Sequence, residues 1–246
     1  HDWKKSDSRI QRSFVQPNNQ LNVYNCSKNQ YVVDFKDNKL HQVVYQVRDA
    51  NGNLSTLEFE LQSIALEVIT KTSKIDSSIQ YRLFPFSSKN SFETADCKIE
   101  IPANVLYDNV EFEYHVAQPI KKSVTPVHHV HHIYEPMHSY MDLSIKVDSL
   151  NEKYKDKAII VALNEKNEFL AAEGGQYENG WITVKTRSFG PYTVMIDSVA
   201  PDIRPFNMVP GRDMTSRGKL QISVRDELSG IDTYRGTVDG KWVLME

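Results

Sequence analysis

The sequence is poor in the residues that would suggest a disulfide framework, a flexible linker or a membrane span. Its 246 residues include only two cysteines, ten glycines and ten prolines. Cys26 and Cys97 are far apart, so we expect two isolated, partly buried thiols rather than a disulfide. No apolar run approaches about 18 residues and no basic-then-apolar leader follows His1, so these residues predict neither membrane insertion nor an export signal.

An excess of charge of one sign is also lacking. The formal net charge is -3, and acidic and basic residues alternate along the chain. A chain without a strong field has no long-range attraction for nucleic acid or for an anionic membrane. We therefore expect no nucleic-acid partner.

What the sequence does contain is a repeated strand pattern. Short runs of alternating apolar and polar residues are separated by turn residues, which is typical of half-buried β-strands. Leu40–Val47 and Leu54–Leu61 flank Asn51-Gly52, which predicts a hairpin because this dipeptide supplies the positive φ of a tight turn. Asn179-Gly180 and Asp239-Gly240 predict two more hairpins.

This pattern predicts an all-β chain of tandem antiparallel immunoglobulin-like β-sandwich modules. Residues 1–62 would form a module without its N-terminal strands, residues 63–198 a complete central module, and residues 199–246 the start of a truncated third module. Besides the two strands of the first hairpin, the predicted strands are Tyr31–Phe35, Lys98–Ile101, Val110–Ala117, Met141–Val147, Ala158–Leu163, Trp181–Thr186, Tyr192–Asp197, Lys219–Val224 and Tyr234–Val238.

Four histidines within Val127–Tyr134 (VHHVHHIY) are the residues best suited to metal chemistry. In one continuous strand, His129 and His131 would share one face, and His128 and His132 would share the other. Either pair could then provide two zinc ligands. Two ligands are fewer than a zinc site requires.

A third zinc ligand would have to come from Glu135, His138 or Asp142. Because none of these residues is a convincing third ligand for either histidine pair, we predict no native metal site. His129 and His131 remain the candidates to test.

Motifs for other chemistry are missing. The sequence contains no Gly-x-Ser-x-Gly, no His-Glu-x-x-His and no phosphate-binding loop, so it predicts neither a catalytic residue nor a cofactor in this chain. Asp49, Asp226 and Asp239 lie in turns and could bind calcium, but such carboxylates usually accept hydrogen bonds from the backbone of their own turn.

Two short stretches of the sequence, Gln46-Val-Arg-Asp49 and Ser223-Val-Arg-Asp226, resemble each other. Repeated modules would produce this similarity, but so would chance.

Exposed aromatic rings are the remaining candidates, because sugar-binding sandwiches present Trp and Tyr faces to carbohydrate. Trp181 and Tyr177 are the possible ligand-facing residues, and Trp3, Trp242 and Tyr192 are further candidates. A large ring at the start of a strand more often closes the end of a core. We therefore expect Trp181 and Tyr192 to be largely buried.

Six stretches share a pattern with one known family: Arg12–Leu21, Asp49–Ser55, Gly174–Trp181, Phe189–Asp197, Val199–Pro205 and Ser229–Trp242. They resemble the region that follows the catalytic domain in lysostaphin-like (LytM-type) zinc metalloendopeptidases from Bacteroidetes. The first two stretches resemble the part of this region that is nearer the peptidase.

The resemblance implies a parent enzyme that cuts peptidoglycan in the periplasm or at the cell surface, with zinc and catalytic residues in an upstream domain outside this chain. In that family a His-x-x-x-Asp motif precedes a His-x-His motif. Here His138-x-x-x-Asp142 follows the histidine run, so no catalytic residue is carried over.

We therefore expect a non-catalytic spacer or targeting region. Its expected partners are the upstream peptidase domain and peptidoglycan or a cell-surface glycan. The alternative is a stand-alone carbohydrate or cell-surface binding module, which a platform of coplanar exposed rings would favour. A metal-dependent hydrolase built on the histidine run would instead need a third ligand and an open coordination position.

Overall fold

The computed structural model describes residues 14–21, 35, 37, 39–62, 78–148, 150–211, 213, 215 and 219–245. Several residues named in the sequence analysis lie outside these ranges: Cys26, Trp3 and all of the predicted strand Tyr31–Phe35 except Phe35. The chain divides into two compact units, one of residues 10–77 and one that contains residues 78–246. The module boundaries predicted near residues 62 and 198 stay predictions.

The predicted all-β fold is confirmed. The described elements are antiparallel strands and one 3₁₀ helix, Glu152–Lys157. No helix within the described ranges is long and apolar enough to cross a membrane.

The unit of residues 10–77 contains the first predicted hairpin. Strands β1 (Leu40–Arg48) and β2 (Leu54–Gln62) pair in continuous antiparallel register. Gly52 has a φ of +88°, which only glycine adopts readily. This prediction is therefore confirmed, together with its physical reason.

The other unit contains a β-sandwich of two sheets. One sheet has six strands in the order β10-β9-β13-β7-β6-β3, and the other has five in the order β11-β12-β8-β5-β4. The strands are β3 (Gln80–Phe84), β4 (Asn90–Glu93), β5 (Cys97–Ile101), β6 (Val110–Ala117), β7 (Val127–Val130), β8 (Met141–Lys146), β9 (Ala158–Leu163), β10 (Phe169–Gly174), β11 (Gln176–Glu178), β12 (Trp181–Thr186) and β13 (Gly190–Ile196).

The core lies between the two sheets. Alternating residues of both sheets contribute to it: Phe112, Tyr114 and Tyr192 come from the six-stranded sheet, and Ile99 and Leu143 from the five-stranded sheet. Cys97 is a free, buried thiol in this core, and burial raises its pKa to about 12. A second apolar cluster lies on the outer face of the six-stranded sheet, and its buried members are Val127, Ile159, Val161, Leu163 and Met195.

The last strand of the sandwich in sequence is central in space. Residues Gly190–Tyr192 of β13 pair with β7, and residues Tyr192–Ile196 pair with β9. This strand therefore joins the two halves of the six-stranded sheet.

Residues after the sandwich form two short pairs, β14 (Asp202–Pro205) with β15 (Ile222–Arg225), and β16 (Gly236–Val238) with β17 (Lys241–Val243). The second pair confirms the hairpin predicted at Asp239-Gly240. Leu228 packs against the outer apolar cluster. The backbone N–H of Ser229 donates to Asp197 Oδ2 at 3.0 Å.

Candidate functional site

The histidine run does not form one continuous strand. Strand β7 ends at Val130, and His131 has a φ of +56°. This left-handed conformation interrupts the alternation of side chains. The prediction that His129 and His131 share one face is therefore wrong, and so is the corresponding pairing of His128 with His132.

His129 lies on the outer face of the six-stranded sheet. Its cross-strand partner on β6 is His115, and the two imidazole rings stack with centroids 4.2 Å apart and planes 13° from parallel. Burial, with smaller contributions from His115 and His128, lowers the pKa of His129 to about 4. The His129 ring of this stack is therefore neutral at neutral pH.

His128 points the opposite way, into the core. Its Nδ1 shares a hydrogen bond of 2.7 Å with the hydroxyl of Tyr114. Burial lowers the pKa of His128 to about 4 and raises that of Tyr114. Within the described part of the chain, His128 Nε2 and His115 Nδ1 are buried without a hydrogen-bond partner. Protonating His128 would therefore place a charge where little compensates it.

His131 and His132 directly follow the last residue of β7, and their environments differ. The His131 ring packs edge-on against Phe189, with centroids 5.2 Å apart, and burial lowers its pKa to about 4. The backbone N–H of Glu113 donates to His131 Nδ1 at 3.4 Å. His132 is exposed, and its Nε2 lies 3.1 Å from the Glu113 carboxylate.

These positions do not assemble a zinc site. Among the described residues, no group of three or more His, Cys, Asp or Glu side chains is placed to hold a metal ion. Of the third ligands considered, His138 stacks on Tyr107 with ring centroids 3.6 Å apart, and Asp142 lies 3.9 Å from Lys185 Nζ.

Two of the three aspartates considered for calcium accept hydrogen bonds within their own turns. Asp49 Oδ1 accepts hydrogen bonds from the backbone N–H groups of Asn51 and Asn53, at 2.9 and 2.8 Å. Asp226 Oδ1 accepts equivalent bonds from Leu228 and Gly230, at 2.9 and 2.8 Å. The two Val-Arg-Asp sequences therefore end their strands with the same turn.

The two candidate aromatic residues lie on opposite faces of the five-stranded sheet. Trp181 is followed by the buried Ile182, so its half-buried ring faces outward, where Lys98 Nζ lies 4.5 Å from its centroid. Tyr177 pairs with Ile182 and packs against the core. The expectation that the Trp181 ring closes the end of the core is therefore wrong, although the ring is half-buried, whereas Tyr192 is fully buried as expected.

Because Trp181 and Tyr177 face opposite ways, they do not form a coplanar platform for a sugar. Alternation along β12 could have revealed this, since Ile182 and Val184 occupy the buried positions. Trp242 is 62% exposed on β17.

A further surface, not identified from the sequence, lies on the β1–β2 hairpin. The register places most apolar side chains of both strands on one face, whereas the other face mixes Gln, Glu, Thr and Arg side chains with Leu40, Val44 and Leu54. We call this surface the hairpin apolar face, and its residues are Val43, Tyr45, Val47, Leu57, Phe59 and Leu61. All except the half-buried Val43 are exposed, including Val47 at 70% and Leu57 at 61%.

Residues 81–197 match the Zu5-like domain family. The match begins in β3 and ends directly after β13, so it spans the sandwich and slightly less than half of the chain. No curated protein matches the sequence.

Proposed function

We propose that this chain is a non-catalytic β-sandwich region that positions or targets a catalytic domain of a longer protein. By the sequence resemblance, that domain is a zinc endopeptidase that cuts peptidoglycan in the periplasm or at the cell surface. The zinc would then be bound outside this chain.

The hairpin apolar face is the observation that carries this proposal. A two-stranded hairpin is marginally stable by itself, because it has no second layer against which to bury its apolar side chains. A contiguous exposed apolar surface marks a site of contact with another protein segment. Asp49–Ser55, which joins the two strands, also belongs to the stretches that resemble the part nearest the peptidase. We therefore assign the hairpin apolar face to contact with the peptidase domain.

The test compares this chain with a longer protein that includes the upstream domain. Each is incubated with purified peptidoglycan and zinc, and the released muropeptides are measured. We expect release by the longer protein only. Release by this chain that a chelator stops would refute the proposal, as would a longer protein without a zinc-peptidase motif.

Variants of the longer protein test the assigned contact. Leu57→Glu combined with Phe59→Glu places two charges on the hairpin apolar face. This double variant should lower the rate of muropeptide release from whole cell walls about tenfold or change the distribution of the released muropeptides. The matched control is Val44→Glu, because Val44 is exposed on the opposite face of β1. Equal activity of all three proteins would contradict the assigned contact.

The alternative function is a carbohydrate or cell-surface binding module. It predicts that this chain alone sediments with peptidoglycan and that Trp181→Ala removes the binding. The opposed orientations of Trp181 and Tyr177 make that outcome the less favoured one.

A further inference from the structure

Among the strands that the structure describes, β3 is the least protected of the four sheet edges of the sandwich against strand pairing. Edge strands expose unpaired backbone N–H and C=O groups, and proteins shield them with bulges, short lengths or charges. Strand β10 has two register shifts, β11 has three residues and β4 has four. Strand β3 instead has five residues in unbroken register with β6.

The outward side chains of β3 are apolar and exposed. Phe84 is buried in the core, so alternation places Tyr81 and Leu83 on the outer face of the six-stranded sheet. Tyr81 is 58% exposed and Leu83 is 61% exposed. A strand added beside β3 would cover both side chains.

Acidic side chains lie directly behind these apolar residues. The register pairs Leu83 with Glu111 and Tyr81 with Glu113, and all four side chains are on the same face. Glu111 is exposed, and Glu113 is half-buried beside His132. The outer surface at this edge therefore combines an apolar rim with a negative row.

The inner side of the same edge differs in charge. Arg82 alternates with Tyr81 and Leu83 and is exposed at the edge. A strand that brought cations to this side would be repelled by Arg82. The edge therefore distinguishes the two faces of an incoming strand.

We propose that β3 binds an extended segment of another polypeptide by strand addition, and that this segment alternates Lys or Arg with apolar residues. Its backbone would pair with the open edge of β3. Its cationic side chains would lie across Tyr81 and Leu83 toward Glu111 and Glu113, about 10 Å or two strand spacings away. Its apolar side chains would lie on the side of Arg82.

This proposal does not depend on the proposed function, because it concerns a different surface and can be tested with this chain alone. The probe is a blocked, fluorescent heptapeptide of alternating Arg and Val. Anisotropy at low salt should give saturable binding, and backbone amide exchange should slow across Gln80–Phe84. An alternating Glu and Val peptide should bind at least tenfold more weakly.

Glu111→Lys should weaken binding of the Arg and Val peptide at least tenfold. The control is Glu178→Lys, which makes the same charge change at the β11 edge of the other sheet and should leave the affinity within twofold. An analogue with methylated backbone nitrogens should also lose binding, since it lacks the donors that strand addition needs. Unchanged affinity of Glu111→Lys, slowed exchange at another edge, or equal binding of the acidic peptide would overturn the proposal.

Discussion

The imidazole rings of His115 and His129 stack face to face across strands β6 and β7, with centroids 4.2 Å apart. One residue earlier in each strand, His128 shares a hydrogen bond with the Tyr114 hydroxyl on the other side of the same sheet. The side chains of the neighbouring residues His128 and His129 therefore point to opposite faces of the sheet. Their burial makes this part of the sandwich sensitive to acid.

We expect the sandwich to lose stability as the pH falls from 6.5 to about 4. The pKa values of His128, His129 and His131 are lowered from 6.5 to about 4. The unfolded chain therefore binds more protons in this window, and protonation favours unfolding. For the fully buried His128 alone, the loss is about 3 kcal/mol. Urea unfolding between pH 7 and pH 4.5 measures it.

Two variants check the cause of this pH dependence. Tyr114→Phe combined with His128→Phe removes one buried titrating group and its partner while keeping apolar volume, and should reduce the dependence. His132→Asn changes an exposed histidine and should leave the pH dependence of stability unchanged. Identical pH dependence in all three proteins would exclude His128 as a source.

Zinc should bind weakly or not at all. His129 faces the outer surface while His131 packs against Phe189, so the two cannot act as neighbouring ligands from one strand face. Isothermal calorimetry at neutral pH should detect no submicromolar one-to-one binding. Such binding, abolished by His129→Ala and retained in His132→Ala, would contradict this expectation.

Tyr192→Ala should destabilise the sandwich much more than Trp181→Ala. Tyr192 is fully buried, and its truncation should cost about 3 to 5 kcal/mol. Trp181 lies on the outer face under Lys98, so its loss leaves no core cavity. Chemical unfolding of both variants provides the comparison, and a larger loss for Trp181→Ala would show that the outward ring is a major support.

Gly175→Ala should lower the free energy of unfolding by about 1 to 3 kcal/mol. Gly175 has a φ of +130°, and an added Cβ would lie 2.6 Å from Ile182 Cγ2. Gly174→Ala is the matched control, because Gly174 also has a positive φ but has open space around its Cβ position. Thermal unfolding that shows equal losses would indicate that the close contact with Ile182 is relieved at little cost.

Hairpins were the part of the fold that could be predicted most closely. Asn51-Gly52 and Asp239-Gly240 determine local turn geometry, and the strands beside them carry alternating residues. Five strands are absent from the prediction because most are short and their alternation is weak: β3, β4, β7, β10 and β11. Six strands were predicted for the central module, whereas its two sheets contain eleven.

The histidine geometry was less accessible from the sequence. A left-handed conformation is uncommon at a residue other than glycine, so nothing in VHHVHHIY indicates the break at His131. The pairing of His115 with His129 and of Tyr114 with His128 depends on which strands become neighbours. Such contacts follow from sheet order, which alternation alone does not specify.

The central position of β13 has a consequence for folding during synthesis. The six-stranded sheet has β10 and β9 on one side of this strand and β7, β6 and β3 on the other. While the ribosome is still adding residues before Gly190, these two groups have no strand to connect them, and long-range pairing is slow to form. The emerging chain must therefore keep its apolar strands from aggregating until nearly all of the sandwich has left the exit tunnel.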